Sequence, residues 1–199
     1  DTVVVPSGVQ LAPGGGLTLT GALVVDGGTV KLDGNYPVGT GNVALGDTAL
    51  DSVEAGGTCN VAIGHHAGTA ITTGDDNTAI GALSLDANTT GSKNTAVGHL
   101  SLSSNTEGLE NTGLGRSALF TNTTGDNNVA VGRLSLFSNT TADNNTAVGK
   151  ESLCANTTGT GNIAVGCGAL AANTTASNNT ALGYHSLLQN TTGNSNTAV

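Results

Sequence analysis

One block of residues, an asparagine followed by a short apolar run and a glycine, recurs every 17 residues through most of this chain. In its common form the block reads N-[T/V/I]-A-[V/I/L]-G, as in residues 94–98. An earlier copy begins at Asn42, 18 residues before Asn60, so we predict a bulge or widened corner within residues 42–59 that absorbs the extra residue. A unit this short buries no core by itself, so successive units must stack as the turns of a solenoid, with their first asparagines stacked in one line. The evenly spaced blocks begin at Asn60, Asn77, Asn94, Asn111, Asn128, Asn145, Asn162, Asn179 and Asn196.

We number positions within the repeat as columns one to seventeen, starting at the asparagine. Column three is Ala except at Gly113, column five is Gly in the complete copies, and column nine is Leu except at Gly68. A helix is disfavoured because Gly and Asn recur every few residues and no apolar stripe has a helical period. We predict two short extended segments per turn, N-T-A-V-G and S-L-x-x-N-T-T, joined at glycine corners.

The two faces of the first extended segment carry different side chains. Because side chains alternate along a strand, Ala at column three and the aliphatic residue at column four face opposite sides. A small Ala fits a thin interior, which leaves column four as an exposed association surface. Closing three copies about one axis would bury that surface, so we predict a parallel homotrimer. The alternative is a monomer in which column four fills the core. Column four includes Ile63, Ile80, Val97, Leu114, Val131, Val148, Val165 and Leu182.

Residues 1–41 do not follow the repeat. They contain short β-rich runs, such as residues 2–5 and 29–32, separated by Gly and Pro clusters. This pattern is typical of small strands joined by tight turns. We predict a β-rich N-terminal cap or shaft segment at 1–41, followed by the repeat region at 42–199. A solenoid end needs such a cover because a bare terminal turn exposes unpaired strand groups.

The composition favours a fibrous, extracellular type of protein. Charged residues are 10% and aromatic residues 2%, against roughly a quarter charged in an ordinary globular domain. The net charge of −9 argues against nucleic acid as a partner, because phosphate binding needs clustered Lys and Arg. No apolar stretch approaches the ~20 residues of a membrane span. Cys59, Cys154 and Cys167 occupy different columns, so we interpret them as small hydrophobic residues, with an intermolecular bridge as the alternative.

The repeat itself resembles those of known surface fibres. N-V-A-I-G at residues 60–64 and N-T-A-V-G at 94–98 and 145–149 resemble the head repeats of YadA-like trimeric autotransporter adhesins. The longer unit N-T-A-V-G-x-x-S-L-x-x-N-T-T-G looks like the version found in bacteriophage tail fibres. The resemblance covers residues 42–199. It implies a left-handed parallel β-roll in which three chains pack side by side as a spacer or a receptor-contacting shaft.

No signature of enzymatic chemistry is present in the sequence. It has no nucleophile elbow, no phosphate-binding loop and no calcium nonapeptide, so we predict no catalytic residue, no cofactor and no resident metal. His65 and His66 fall at a variable corner, and adjacent residues there make a poor chelate. The alternative is a metal held on a three-fold axis by one His from each chain.

Basic and aromatic side chains recur at column six, and acidic ones recur at column sixteen. Stacking would place each set in one line along the solenoid, at the corners where rigid scaffolds place their contacts. We therefore interpret column six as solvated corner charge with local ion pairs; the alternative is a receptor contact at this column, with an anionic host glycan as one ligand. The acidic residues are Asp75, Asp126 and Asp143. The receptor-contact candidates are Arg116, Arg133, Lys150 and Tyr184, and His65 and His99 share their column.

These observations favour a non-enzymatic structural segment of a trimeric virus or phage tail fibre that supports host-cell attachment. We expect it in the virion, with itself as the main partner and a host glycan or protein receptor as the second. The chain stops within a repeat, so we expect it to continue beyond Val199. A bacterial cell-surface trimeric adhesin is the alternative. An ice-binding solenoid is a third hypothesis, suggested by the threonine column of Thr89, Thr106, Thr123, Thr140, Thr157 and Thr174.

Overall fold

The computed structural model describes residues 40–54 and 56–199. The predicted N-terminal segment, residues 1–41, lies outside this range except for its last two residues. The described chain is an all-β parallel solenoid of about nine turns with no helix. Each turn contributes one short strand to a single ten-stranded sheet. The strands are β1 Val43–Leu45, β2 Val61–Ile63, β3 Thr78–Ile80, β4 Thr95–Val97, β5 Thr112–Leu114, β6 Val129–Val131, β7 Thr146–Val148, β8 Ile163–Val165, β9 Thr180–Leu182 and β10 Thr197–Ala198.

The sheet pairs every column with itself. Neighbouring strands are consecutive in the chain and parallel, and Ala79 in β3 lies beside Ala96 in β4. The same 17-residue register continues to the last pair, where Ala198 lies beside Ala181. The prediction of one turn per repeat is therefore confirmed.

The interior is thin and lined by small residues and leucine. Ala130 in column three and Leu136 in column nine are fully buried, whereas Leu114 in column four is 45% exposed. Column three therefore faces the core and column four faces outward, as predicted. The alternative in which column four fills the core is wrong.

The prediction of a second extended segment in each turn is wrong. Residues 101–107, this turn's copy of that segment, form turns and bends rather than a strand, because leucines in columns seven and nine adopt a left-handed backbone. Leu100 has a φ of 59° and Leu102 a φ of 51°. A left-handed residue other than Gly costs roughly 1–2 kcal/mol. Burying a leucine side chain gains about 1.5–3 kcal/mol, so the core position of Leu102 outweighs its backbone strain.

Two columns of buried asparagine run along the solenoid. In column one, the backbone N–H of Asn94 donates to Oδ1 of Asn77 at 3.0 Å, and Nδ2 of Asn94 donates to the carbonyl of Gly108 at 2.8 Å. In column twelve, Nδ2 of Asn105 donates to Oδ1 of Asn88 at 2.8 Å. A buried amide must be paired to be tolerated, so these ladders hold each turn in register with the next. The predicted stacking of the column-one asparagines is confirmed.

The extra residue of the first repeat is absorbed at a widened turn. The N–H of Glu54 donates to the carbonyl of Thr72, 18 residues on, whereas the N–H of Thr58 donates to Oδ1 of Asp75, 17 residues on. The additional residue therefore lies between 54 and 58, where the N–H of Gly57 closes a turn onto the carbonyl of Glu54 at 3.0 Å. This agrees with the prediction of a bulge or widened corner within residues 42–59.

One turn departs from the repeat at two core positions, and its core is still filled. Gly68 replaces the leucine of column nine, and Ile71 replaces the asparagine of column twelve. Ile71 is 1% exposed, and a Cβ on Gly68 would lie only 2.9 Å from its Cδ1 atom. The Ile71 side chain therefore occupies the space that leucine fills in the other turns.

Candidate functional site

The corner after each strand is built by the glycine of column five. Gly115 has a φ of 137°, and a Cβ there would lie 2.7 Å from the carbonyl carbon of Gly132 in the next turn. Only glycine allows this approach. It brings the column-six residues of successive turns into line, where the N–H of Leu134 donates to the carbonyl of Arg116 at 3.1 Å. The corners of successive turns therefore form a regular row that backbone hydrogen bonds hold together.

The four receptor-contact candidates all lie on this row. Arg116, Arg133 and Lys150 occupy three consecutive turns, and Tyr184 follows two turns later, after Cys167. Arg116, Arg133, Lys150 and Tyr184 are exposed. The chain has five Lys and Arg residues in all, so most of its permanent positive charge stands in this one stretch.

An acidic residue that the sequence reasoning missed lies beside the row. Oε1 of Glu151 is 3.2 Å from Nη1 of Arg133 and 3.4 Å from Nζ of Lys150. Among the described residues, no carboxylate comes within ion-pairing distance of Arg116. Glu151 lies in column seven. The residue types in that column vary so much that the sequence does not predict an ion-pairing role for Glu151. Arg116 is the row's unpaired arginine within the described chain.

The acidic residues of column sixteen do form a line, but they also have a structural role. Oδ1 of Asp126 accepts the N–H of Leu109 at 2.7 Å, and Oδ1 of Asp143 accepts the N–H of Asp126 at 2.8 Å. The same position is filled elsewhere by other short acceptors, such as Asn194, which accepts the N–H of Ser177 at 2.7 Å. Each of these two carboxylates therefore accepts a hydrogen bond from a backbone N–H of the preceding turn.

The outward side chains of the sheet form an apolar surface. We call the side chains of columns two and four in β1 to β10 the outer face. Leu45 is 56% exposed, Leu182 48% and Ile163 45%. Column two contributes Thr or Val in most turns and column four only Val, Ile or Leu. This apolar surface continues from turn to turn along the solenoid, and the residues of column four contribute only aliphatic side chains to it.

Column ten carries a second, smaller apolar cluster. The rings of Phe120 and Phe137 stack with centroids 5.2 Å apart and planes 7° apart. Cys154 follows them in the next turn. Burial raises the pKa of the Cys154 thiol, the charge of Glu151 raises it further, and Arg133 acts in the opposite direction. The thiol is therefore protonated at neutral pH and behaves as a small apolar group.

The histidine corner brings together two rings and one carboxylate. The rings of His65 and His66 meet edge to face with centroids 4.0 Å apart, and Nε2 of His65 is 3.7 Å from Asp47. Within residues 40–54 and 56–199, no group of three or more His, Cys, Asp or Glu side chains is placed to hold a metal ion.

The threonine column is tied to the backbone. Oγ1 of Thr89 donates to the carbonyl of Thr106 at 3.1 Å, and Oγ1 of Thr123 donates to the carbonyl of Thr140 at 3.1 Å. These hydroxyl hydrogens point along the solenoid rather than into solvent. An ice-binding face would need them available to water, so this bonding disfavours that hypothesis.

No helix in the described part of the chain is long and apolar enough to cross a membrane. Comparison with known proteins finds no match to a family model, to a curated protein or to a solved structure.

Proposed function

We propose that this chain is a non-enzymatic structural segment of a trimeric virus or phage tail fibre that supports host-cell attachment. The observation that carries the proposal is the outer face. The nine strands β1 to β9 align their column-four aliphatics in one row, in which the side chains are exposed or half-buried. Several copies packed through this face would bury the row and leave the polar corners in water.

The rest of the architecture suits a stiff support. Successive turns are joined by backbone hydrogen bonds and by asparagine ladders that repeat from turn to turn. At ~4.8 Å per strand, ten strands span about 45 Å. The repeat's resemblance to phage-fibre and YadA-like head repeats supports a left-handed roll in a parallel homotrimer. On this proposal, Arg116, Arg133, Lys150 and Tyr184 are the residues available for a receptor contact on the shaft.

Immunolabelling tests the fibre proposal directly. An antibody raised against the chain is applied to purified virus particles and to whole cells from the chain's source, and both are viewed by electron microscopy. Label along tail fibres supports the proposal. Label on bacterial envelopes with none on particles would assign the chain to a cell-surface adhesin instead, which is the second candidate because the same repeat resemblance supports it.

A further inference from the structure

Side chains that can bind ligands gather at one corner of the repeat. Columns six and seven hold all four histidines of the chain, and column six holds three of its five Lys and Arg residues. Columns one, three and nine, which build the interior, hold Asn, Ala and Leu in nearly every turn. Corners and loops on a rigid scaffold are where proteins place their binding residues. We call the column-six side chains of six consecutive turns the corner row: His99, Arg116, Arg133, Lys150, Cys167 and Tyr184.

Backbone hydrogen bonds space the corner row evenly. The carbonyl of each column-six residue accepts the N–H of the column-seven residue in the next turn. For example, the carbonyl of Arg133 accepts the N–H of Glu151 at 2.9 Å, and the carbonyl of Cys167 accepts the N–H of His185 at 3.0 Å. Because stacked strands lie ~4.8 Å apart, the row presents one side chain at each such interval and spans about 24 Å.

The middle of the corner row carries an excess of positive charge. Arg116, Arg133 and Lys150 occupy three consecutive turns, and all three are exposed. One carboxylate oxygen, Oε1 of Glu151, lies 3.2 Å from Nη1 of Arg133 and 3.4 Å from Nζ of Lys150. In the part of the chain that the structure describes, no carboxylate pairs with Arg116. Three cations against one carboxylate leave this stretch able to bind an anion.

An exposed aromatic ring follows the charged stretch. Tyr184 is 75% exposed, and its ring stacks on His185 with centroids 3.8 Å apart and planes 20° apart. Gly168 leaves room for the imidazole, since a Cβ at that position would clash with the ring of His185. The Tyr184 ring is therefore supported from one side and keeps most of its surface in water. The C–H groups on the face of a sugar ring pack well against such a ring, because an aromatic face is electron-rich.

One short side chain separates the cations from the ring. Cys167 is half-buried, whereas Lys150 in the turn before it and Tyr184 in the turn after it are exposed. Two turns correspond to about 10 Å along the solenoid. A long, linear ligand therefore passes from the cations to the ring without meeting a large side chain of the corner row.

The spacing of the corner row fits a linear polymer of sugar rings. One strand spacing is close to the length that one sugar unit adds to an extended polysaccharide, so such a chain repeats in step with the turns. A uronic acid carries a carboxylate on its ring, and arginine binds carboxylates through charge-assisted, often bidentate, hydrogen bonds. We propose that the corner row binds an acidic polysaccharide of the uronic-acid type along the solenoid axis. Its carboxylates contact Arg116, Arg133 and Lys150, and one of its rings stacks on Tyr184. The proposal rests on the receptor contact of the proposed function and names its ligand.

The three cations differ in how freely they can take a ligand carboxylate. The Arg116 guanidinium has no competing carboxylate in the described chain, so it is the main anchor. Arg133 and Lys150 already share Glu151, so a ligand must share or displace that contact. Exposed ion pairs of this kind are weak, about 0–1 kcal/mol, which keeps displacement feasible.

Other ligands fit fewer of these features. A neutral polysaccharide would stack on Tyr184 but would give the three cations no partner. Nucleic acid has a phosphate at every step and would meet a chain of net charge −9 through too few Lys and Arg residues. A polysaccharide with spaced carboxylates uses both the cations and the ring.

Binding of defined polymers to the immobilised protein tests the proposal. The probe is polygalacturonate, with neutral dextran and a double-stranded DNA fragment as comparisons, and we expect polygalacturonate to bind most tightly. Arg116→Gln with Arg133→Gln should weaken this binding at least tenfold at low salt, and the loss should shrink in high salt because exposed charges are screened. Tyr184→Ala should weaken it at low and high salt alike, because stacking on the ring is not screened.

Two further variants separate the corner row from general charge. Glu151→Gln removes the competing carboxylate and should strengthen polygalacturonate binding. Lys93→Gln is the matched control, because Lys93 is an exposed lysine in column seventeen, paired with Glu110 at 3.3 Å and outside the row; it should bind like the wild type. All these side chains lie at the surface, and an unchanged circular dichroism spectrum checks that each variant is folded.

Three results would overturn the proposal. The first is a wild-type protein that does not bind polygalacturonate. The second is an equal loss of binding in Lys93→Gln and in the double arginine variant. The third is DNA binding as tight as polygalacturonate binding, with neither affected by Tyr184→Ala, which would make the row a plain ion exchanger. Each of these leaves the fibre proposal standing, because antibody labelling of tail fibres does not depend on the row. Label on bacterial envelopes together with row-dependent binding would overturn the fibre and keep the ligand.

Discussion

Oδ1 of Asn111 accepts the backbone N–H of Asn128 at 3.0 Å, one full turn along the solenoid. Both residues are fully buried. The same atom also receives Nδ2 of Asn128 at 3.1 Å. This contact recurs in nearly every turn, so the column-one asparagine determines the register of each turn against the next.

Removing one ladder amide should destabilise the solenoid. Asn111→Ala leaves the buried N–H of Asn128 without its acceptor, and an unpaired buried donor costs about 1–3 kcal/mol. Chemical unfolding followed by circular dichroism measures the loss. Asn127→Ser is the matched control, because column seventeen is exposed and holds Ser195 elsewhere; a loss as large in the control would contradict a special role for column one.

The left-handed leucines should behave as core residues in spite of their backbone. Leu119 is fully buried with a φ of 52°, and Leu119→Ala should cost about 2–5 kcal/mol through lost burial and a cavity. Leu109 is 42% exposed, so Leu109→Ala should change stability by less than about 0.5 kcal/mol. Equal midpoints of unfolding for the two variants would show that column nine does not carry the core.

Whole repeats should be removable and partial repeats should not. Deleting residues 94–110 joins Lys93 to Asn111 and keeps every column aligned, so the fold should persist and shorten by one strand spacing, about 5 Å. Deleting residues 94–101 shifts every later column and should disrupt the sheet. Circular dichroism reports the fold, and small-angle scattering the length. Retention of the sheet in the eight-residue deletion would refute the column register.

Charge on the outer face should prevent assembly. Val131→Asp puts one carboxylate per copy into the same apolar layer, and an unpaired buried charge costs several kcal/mol. The monomer should stay folded, because Val131 faces outward. Thr141→Asp, at an exposed position of the same turn, is the control and should assemble normally. Assembly of Val131→Asp at wild-type strength would place the contact elsewhere.

Much of this architecture is readable from the repeat. Strict spacing predicts the stacked turns, and alternation at columns three and four predicts which of Ala130 and Val131 faces inward. The corner row follows as well, because one column must form one line. Those features depend only on periodicity and on the pleat of a strand.

Other features have no local signal. Leu100 and Leu102 adopt left-handed conformations that leucine disfavours, so tertiary packing and not propensity selects the turns that replace the second predicted strand. The hydrogen bonds of Asp126 and Asp143 to the preceding turn, and the ion pair of Glu151 with Arg133, depend on contacts between residues about 17 positions apart. Only the stacked structure brings those groups together.

The mass of the assembled protein tests the central claim most directly. Light scattering of the purified protein at low salt should give three times the mass of the chain, and Val131→Asp should give the mass of one chain with an unchanged circular dichroism spectrum. A wild-type protein that has the mass of one chain across the accessible concentration range would contradict the account, because the outer face would then have no partner.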